Sequence, residues 1–151
     1  VNLFLWRHAE AEDGQPDLSR ALTEHGRGQA AQVGPWIRRR VEGSAAIVAS
    51  PARRARQTAD GIGLPYRIEE RLAPGALAND IAVALELLVP SPGDGSLVAV
   101  GHQPWIGELV SLLVTGRSAA FSVRKAQVWW LRSRSNSALW TVRAVVDAET
   151  F

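Results

Sequence analysis

Three points in the 151-residue chain place arginine or histidine just beyond an apolar run. Arg7 and His8 end VNLFLW, Arg53 and Arg54 follow AAIVASPA, and His102 follows SLVAVG. A guanidinium presents a planar set of paired donors suited to phosphate oxygens, and a neutral imidazole nitrogen can act as a nucleophile. A lone histidine after a strand is more often a hydrogen-bonded structural group. Convergence of the three on one rim would instead offer two imidazoles and several guanidinium groups, a donor set matched to a phosphoryl dianion. With no cysteine there is neither a thiolate nucleophile nor a sulfur-ligated metal site, so any covalent chemistry falls to other side chains.

Bringing those points together requires parallel strands. The runs at 1–6, 45–50 and 96–100 are continuously apolar, as expected of strands covered on both faces. Helical segments alternate with them. Thr23 is a plausible N-cap for a helix over 24–41, with Ala30, Val33 and Ile37 on one face and a kink expected at Gly34-Pro35. Ser50-Pro51 reads as the start of a second helix, stopped over 61–65, and Asn79 as the cap of a third, stopped by Pro90. Residues 103–114 form a fourth, with Pro104 in its first turn. Residues 126–133 and 138–147 flank the turn-rich RSNS and read as a hairpin, and 90–95 as a surface loop. The pattern predicts one α/β domain over 1–151, a three-layer α/β/α sandwich with a mainly parallel central sheet. In such sheets ligands bind beyond the carboxyl ends of the strands, where the next helices begin.

Composition narrows the class further. Hydrophobic residues make up 46% and charged residues 21%, a globular profile, and no apolar run approaches the ~20 residues of a membrane span. The start lacks the features of a secretory signal, and the reading is cytoplasmic. Of seventeen basic residues all but Lys125 are arginine, and the cluster at 37–41 suits the carboxyl end of a helix. The six tryptophans read as core and rim packing, not as base-stacking platforms, so no nucleic-acid partner is expected. His25 reads as a surface residue.

LFLWRHAEAE, SRALTEHG, ASPARRARQTA and AVGHQPWIGEL, in this order, resemble the signature stretches of the histidine phosphatase superfamily, the phosphoglycerate-mutase-like proteins, and most closely its short SixA-type phosphohistidine phosphatases. The resemblance implies an α/β/α fold, His8 as nucleophile, Arg7 and Arg54 as phosphate clamps, His102 as the second histidine, and no metal or other cofactor. It also places Arg20 near the site. Gln103 and Trp105, beside His102, are candidate substrate contacts. Where most of the superfamily has glycine after the Arg-His pair this chain has Ala9, which requires a negative φ there.

Ester-cleaving members carry a carboxylic acid after the third strand, whereas residues 71–80, RLAPGALAND, hold no carboxylate before Asp80. A phosphoramidate leaves as imidazole and needs less help from a positioned acid. The expected substrate is therefore a histidine-phosphorylated protein such as a phosphotransfer domain, with phosphate-like oxyanions as ligands. A small-molecule phosphomonoesterase is the first alternative, and a non-catalytic phosphate- or nucleic-acid-binding module the distant one. Glu10, Asp17, Glu69 and Glu70 remain as acid candidates, each more simply a solvated charge.

Overall fold

The apolar runs at the start and centre of the chain lie side by side as parallel strands in the computed structural model, which describes residues 1–41, 45–88, 95–133 and 138–151. Strand β1 spans Asn2–Arg7, helix α1 Glu24–Arg38, β2 Ala45–Ala49, α2 Arg53–Asp60, β3 Arg67–Ile68 and α3 Ala78–Leu88. Then follow β4 Ser96–Gly101, α4 Trp105–Thr115, β5 Val128–Ser133 and β6 Trp140–Val146. The sheet order is β3-β2-β4-β1-β5-β6. The first four strands in that order are parallel, β5 runs antiparallel to β1, and β6 runs antiparallel to β5.

Two apolar clusters, one on each face of the sheet, account for the layers. One joins Phe4, Trp6, Ile47 and Val98 to Ala30, Val33 and Ile37 of α1 and Ala55 and Ala59 of α2. The other joins Leu3, Leu5, Val48 and Leu97 to Ile81 and Leu85 of α3 and Ile106, Leu109 and Val110 of α4. Alternate residues of β1 and β4 thus feed opposite cores, the reason their sequences are apolar throughout.

Several boundaries differ from the expected ones. Thr23 caps α1, its hydroxyl accepting from the Gly26 amide at 2.9 Å, and the helix runs unbroken through Pro35 to Arg38. Gly34 has a packing reason, since a Cβ there would overlap the carbonyl of Gly61 at the end of α2. Helix α2 starts at Arg53 rather than at Ser50-Pro51, because Ala52 is still extended and the Ser50 hydroxyl is used elsewhere. Helix α3 starts at Ala78, putting Asn79 inside its first turn, with the Leu77 carbonyl accepting from Ile81. Strand β3 was not expected: two exposed residues at a sheet edge carry no hydrophobic pattern. The expected stop at Pro90, loop residues 90–94 and the RSNS turn lie outside the described residues.

Candidate active site

Sheet register brings the candidate residues together. Arg7 pairs with Gly101 across β1 and β4, so His8 and His102 emerge at the same level one residue later. Their ring centroids are 5.2 Å apart. On the other side of β4, Ala49 pairs with Val100, and the Ser50 amide donates to the Val100 carbonyl at 3.0 Å. Ser50 therefore stands beside the strand end that carries His102.

His8 is held from several directions. Its amide donates to the Gly101 carbonyl at 2.9 Å, and its carbonyl accepts from the Ala126 amide at 3.1 Å. Its Nδ1 lies 2.7 Å from the Ala9 carbonyl, an acceptor only, so Nδ1 carries the proton and Nε2 the lone pair of the neutral ring. Thr58 of α2 fixes the next residue, its Oγ1 accepting from the Ala9 amide at 3.0 Å while donating to the Arg54 carbonyl at 2.7 Å. Ala9 does not take a positive φ; among the described non-glycine residues Ala126 alone does, at 61°. That conformation aims its carbonyl at Trp6 Nε1, 2.8 Å away, and its amide at His8.

Around the two rings stand the guanidinium groups. Arg54 is 5% exposed, whereas Arg53 beside it is exposed, so α2 presents the first inward and the second to solvent. Arg54 donates through Nη1 to the Asp17 carbonyl at 2.9 Å and through Nη2 to the Asp17 carboxylate at 3.1 Å. Arg7 donates through Nη1 to the Val123 carbonyl at 2.8 Å. The buried Nε atoms of Arg7 and Arg54 and Nδ1 of His102 have no hydrogen-bond partner. Such groups are costly inside a protein unless something polar meets them, and three near one histidine pair form a receptacle for an anion.

Electrostatics follow from this geometry. Burial is the largest influence on His8 and lowers its pKa, the Ala9 hydrogen bond opposes that, and the charges of Arg54, Arg7 and Arg20 lower it again, to about 4. His102 is lowered to about 3, first by burial, then by His8 and Arg54. Both rings are neutral at physiological pH. For Asp17 desolvation acts upward, but hydrogen bonds from Arg20 and Arg54 outweigh it and hold the carboxyl below its usual range.

Not every expected site residue belongs to the receptacle. Arg20 sits at its outer edge, donating through Nη1 to the Asp17 carboxylate at 3.0 Å and through Nε to the Glu12 carbonyl at 2.8 Å. Gln103 is a clamp instead of a ligand contact: its amide donates to the Phe121 carbonyl at 2.8 Å and accepts from the Gly107 amide at 2.7 Å, tying the 117–126 segment to α4. Trp105 is fully buried in the apolar cluster on the α3–α4 face, packed so closely on Gly101 that a Cβ there would overlap its ring. It supports the end of β4 from below. His25 is exposed at the start of α1.

Sequence reasoning gave Thr58 no role, took Ser50 only as a helix start and kept Asp17 only as an acid candidate. Asp17 read as a solvated charge, yet its carboxylate bridges two arginines, one of them 37 residues away. Strand β3 ends at Ile68, so the acid candidates Glu69 and Glu70 follow it directly, ahead of the segment 71–80. The Glu69 carboxylate caps the turn Glu70–Leu72 and pairs with Arg71 at 2.7 Å, and those contacts hold its pKa down. Glu10 accepts from the Thr23 hydroxyl at 2.7 Å. Among the described residues no group of three His, Asp or Glu side chains is placed to hold a metal ion.

Comparison with known proteins agrees with this geometry. Residues 3–77 match the model of the histidine phosphatase superfamily (branch 1). An uncharacterized protein of Mycobacterium tuberculosis is 35% identical over 129 residues, covering 78% of this chain and 77% of the relative. Another, from Picosynechococcus sp., is 30% identical over 160 aligned positions, covering all of this chain and 94% of its own. The fold matches the protein histidine phosphatase SixA complexed with tungstate, with a TM-score of 0.84, 22% identity and 99% of each chain covered. A Nakamurella multipartitia structure assigned as a SixA phosphohistidine phosphatase matches with a TM-score of 0.78 and 25% identity, covering 96% of this chain and 94% of that one. On the family match, the curated relatives and the mixed sheet with its histidine pair, this chain belongs to the histidine phosphatase superfamily.

Proposed function

We propose that the chain is a phosphohistidine phosphatase that takes a phosphoryl group from a histidine of a protein through a covalent phosphohistidine on His8. The observation carrying this reading is the His8 ring itself, neutral and pinned through Nδ1–H to Ala9, with its Nε2 lone pair available beside two guanidinium groups and a second imidazole. In the first step Nε2 attacks phosphorus in line as the bond from phosphorus to the substrate imidazole breaks, and the departing ring takes a proton from solvent. The Nδ1–H bond to Ala9 steadies the positive charge that builds on the His8 ring. In the second step water attacks the phosphohistidine, releasing inorganic phosphate and restoring Nε2. Arg7, Arg54 and His102 stand where they can spread charge on the equatorial oxygens, the work often given to Mg²⁺.

Substrate choice rests on the carboxylates. An alkoxide leaving group calls for a proton donor, but Asp17 and Glu69 are both tied to arginine and held ionised near neutral pH. A protonated imidazole leaves without such a donor. Leu18, half-exposed next to Asp17, adds an apolar contact at the rim of the kind a protein substrate can use. The related fold solved with tungstate supports an oxyanion as the ligand.

The test compares phosphate release from a histidine-phosphorylated phosphotransfer domain, free phosphohistidine, phosphoserine and a sugar phosphate. The phosphoramidates should be turned over fastest, and acid-free quenching should trap on His8 a phosphate that survives alkali and is lost in acid. Full activity of His8→Ala would end the covalent reading, and preference for the sugar phosphate would favour a small-molecule phosphomonoesterase.

A further inference from the structure

Ser50 is buried completely, on no helix and in no strand, and its hydroxyl has two neighbours. The Ala52 amide donates to Oγ at 3.2 Å, and His102 Nε2 lies 2.7 Å away. Proton accounting separates the two possible arrangements. If Nε2 carried the imidazole proton, Oγ would accept twice, its own hydrogen would have no acceptor among the described contacts, and His102 Nδ1 would turn a lone pair toward an incoming anion. If Oγ donates to Nε2 instead, the hydroxyl is satisfied on both sides and the proton of the neutral ring resides on Nδ1. That atom is buried and unpartnered, on a ring 5.2 Å from that of His8.

We propose that Ser50 is a positioning residue that fixes His102 as its Nδ1–H tautomer, converting the second histidine into a hydrogen-bond donor for a phosphoryl oxygen. The assignment of that oxygen rests on the function proposed above; the tautomer does not. Backbone geometry holds the hydroxyl in place, since the Ser50 amide is tied to Val100 on the adjacent strand and Ala52 precedes α2 in an extended conformation. The site then holds two neutral imidazoles in the same protonated form for opposite purposes. Ala9 takes the Nδ1 proton of His8 and leaves Nε2 as nucleophile, while Ser50 covers Nε2 of His102 and leaves Nδ1–H as donor.

The experiment is ¹⁵N NMR of the ligand-free protein labelled at histidine, which distinguishes protonated from unprotonated ring nitrogens without any substrate. His102 should show a protonated Nδ1 and a bare Nε2 near pH 7, and Ser50→Ala should shift the ring toward the Nε2–H form. Turnover of the preferred phosphorylated substrate should fall at least tenfold in kcat with little change in KM, because the ring stays in place but meets the oxygen with an unprotonated Nδ1. A wild-type His102 protonated on Nε2, or a tautomer unchanged in Ser50→Ala, overturns the proposal. The wild-type spectrum decides the matter even if the variant fails to fold. A protein with the expected tautomer that hydrolyses no phosphohistidine would refute the function and leave the tautomer assignment standing.

Discussion

Lowering the pH from 8 to 5.5 should remove about 3 kcal/mol of folding stability, nearly all through His8 and His102. Both rings have folded pKa values below the ordinary imidazole value of 6.5, at about 4 and about 3. A group depressed in this way favours the folded state fully above its unfolded pKa and progressively less as the pH falls toward the folded one. At pH 5.5 the unfolded chain binds a proton on each ring while the folded chain leaves both neutral, and linkage gives roughly 1.4 kcal/mol per ring. Asp17 and Glu69, held below the usual carboxylate range, act in the same direction but mainly below this window. Urea unfolding at pH 8, 7, 6 and 5.5 measures the loss, expected as a midpoint lowered by about 1.5 M for a slope near 2 kcal/mol per M. Combining His8→Asn with His102→Asn should flatten the dependence. A wild-type midpoint unchanged over that range would mean that the rings titrate in the folded protein as they do in the unfolded chain, and the dry, neutral nucleophile would go with it.

The adjacent arginines should separate cleanly: Arg54→Ala should lower kcat/KM by roughly 10²–10³, the loss typical of one charge-stabilising donor, and Arg53→Ala should stay within about twofold. Equal losses in the two variants would overturn the site. Asp17→Asn removes the carboxylate competing for Arg54 and Arg20, so tungstate should bind a few-fold more tightly while stability changes by less than about 1 kcal/mol, as expected where the carboxylate itself is half-exposed and the Asp17 carbonyl still meets Arg54; weaker binding would show that Asp17 chiefly orients the guanidinium. Tungstate at about 100 times its dissociation constant should stabilise the wild type by about 2.7 kcal/mol, roughly 5–10 °C in a thermal scan, and the absence of a shift would mean that the unpartnered donors do not receive an oxyanion.

What the sequence shows of this protein divides along physical lines. Strands β1 and β4 announce themselves because burial on both faces requires every residue to be apolar, and α1 because Thr23 and its apolar stripe are local signals. His8 and His102 could be placed since strand ends fix where a side chain emerges, and Arg54 through the family resemblance. Asp17 and Ser50 could not. Their partners are Arg54 and His102, 37 and 52 positions away, joined through the folding of a loop and the order of strands, which leave no periodic trace. Strand β3 is hidden for the complementary reason, being too short and exposed to need a pattern. Gln103 and Trp105 lay close in sequence to His102, but the turn leading into α4 makes one a backbone clamp and the start of the helix puts the other in the core.

The chemistry and the scaffold impose opposite demands, and the strand ends reconcile them. A nucleophilic imidazole among guanidinium groups needs a dry setting to stay neutral, yet those guanidinium groups need polar partners. The chain meets each need partly with backbone: Val123 and Asp17 supply carbonyls to Arg7 and Arg54, and Ala9 supplies one to His8. A carbonyl neutralises no charge, so the cations keep their pull on an anion while some of their N–H groups are satisfied. Of these two, Arg54 also meets a carboxylate, that of Asp17, half-exposed on the short turn Asp17–Ser19. The central strands cannot yield without breaking their ladders, so on the function proposed above the contact expected to give way to phosphate oxygens is the Asp17 carboxylate, with His8 and His102 staying in place on their strand ends.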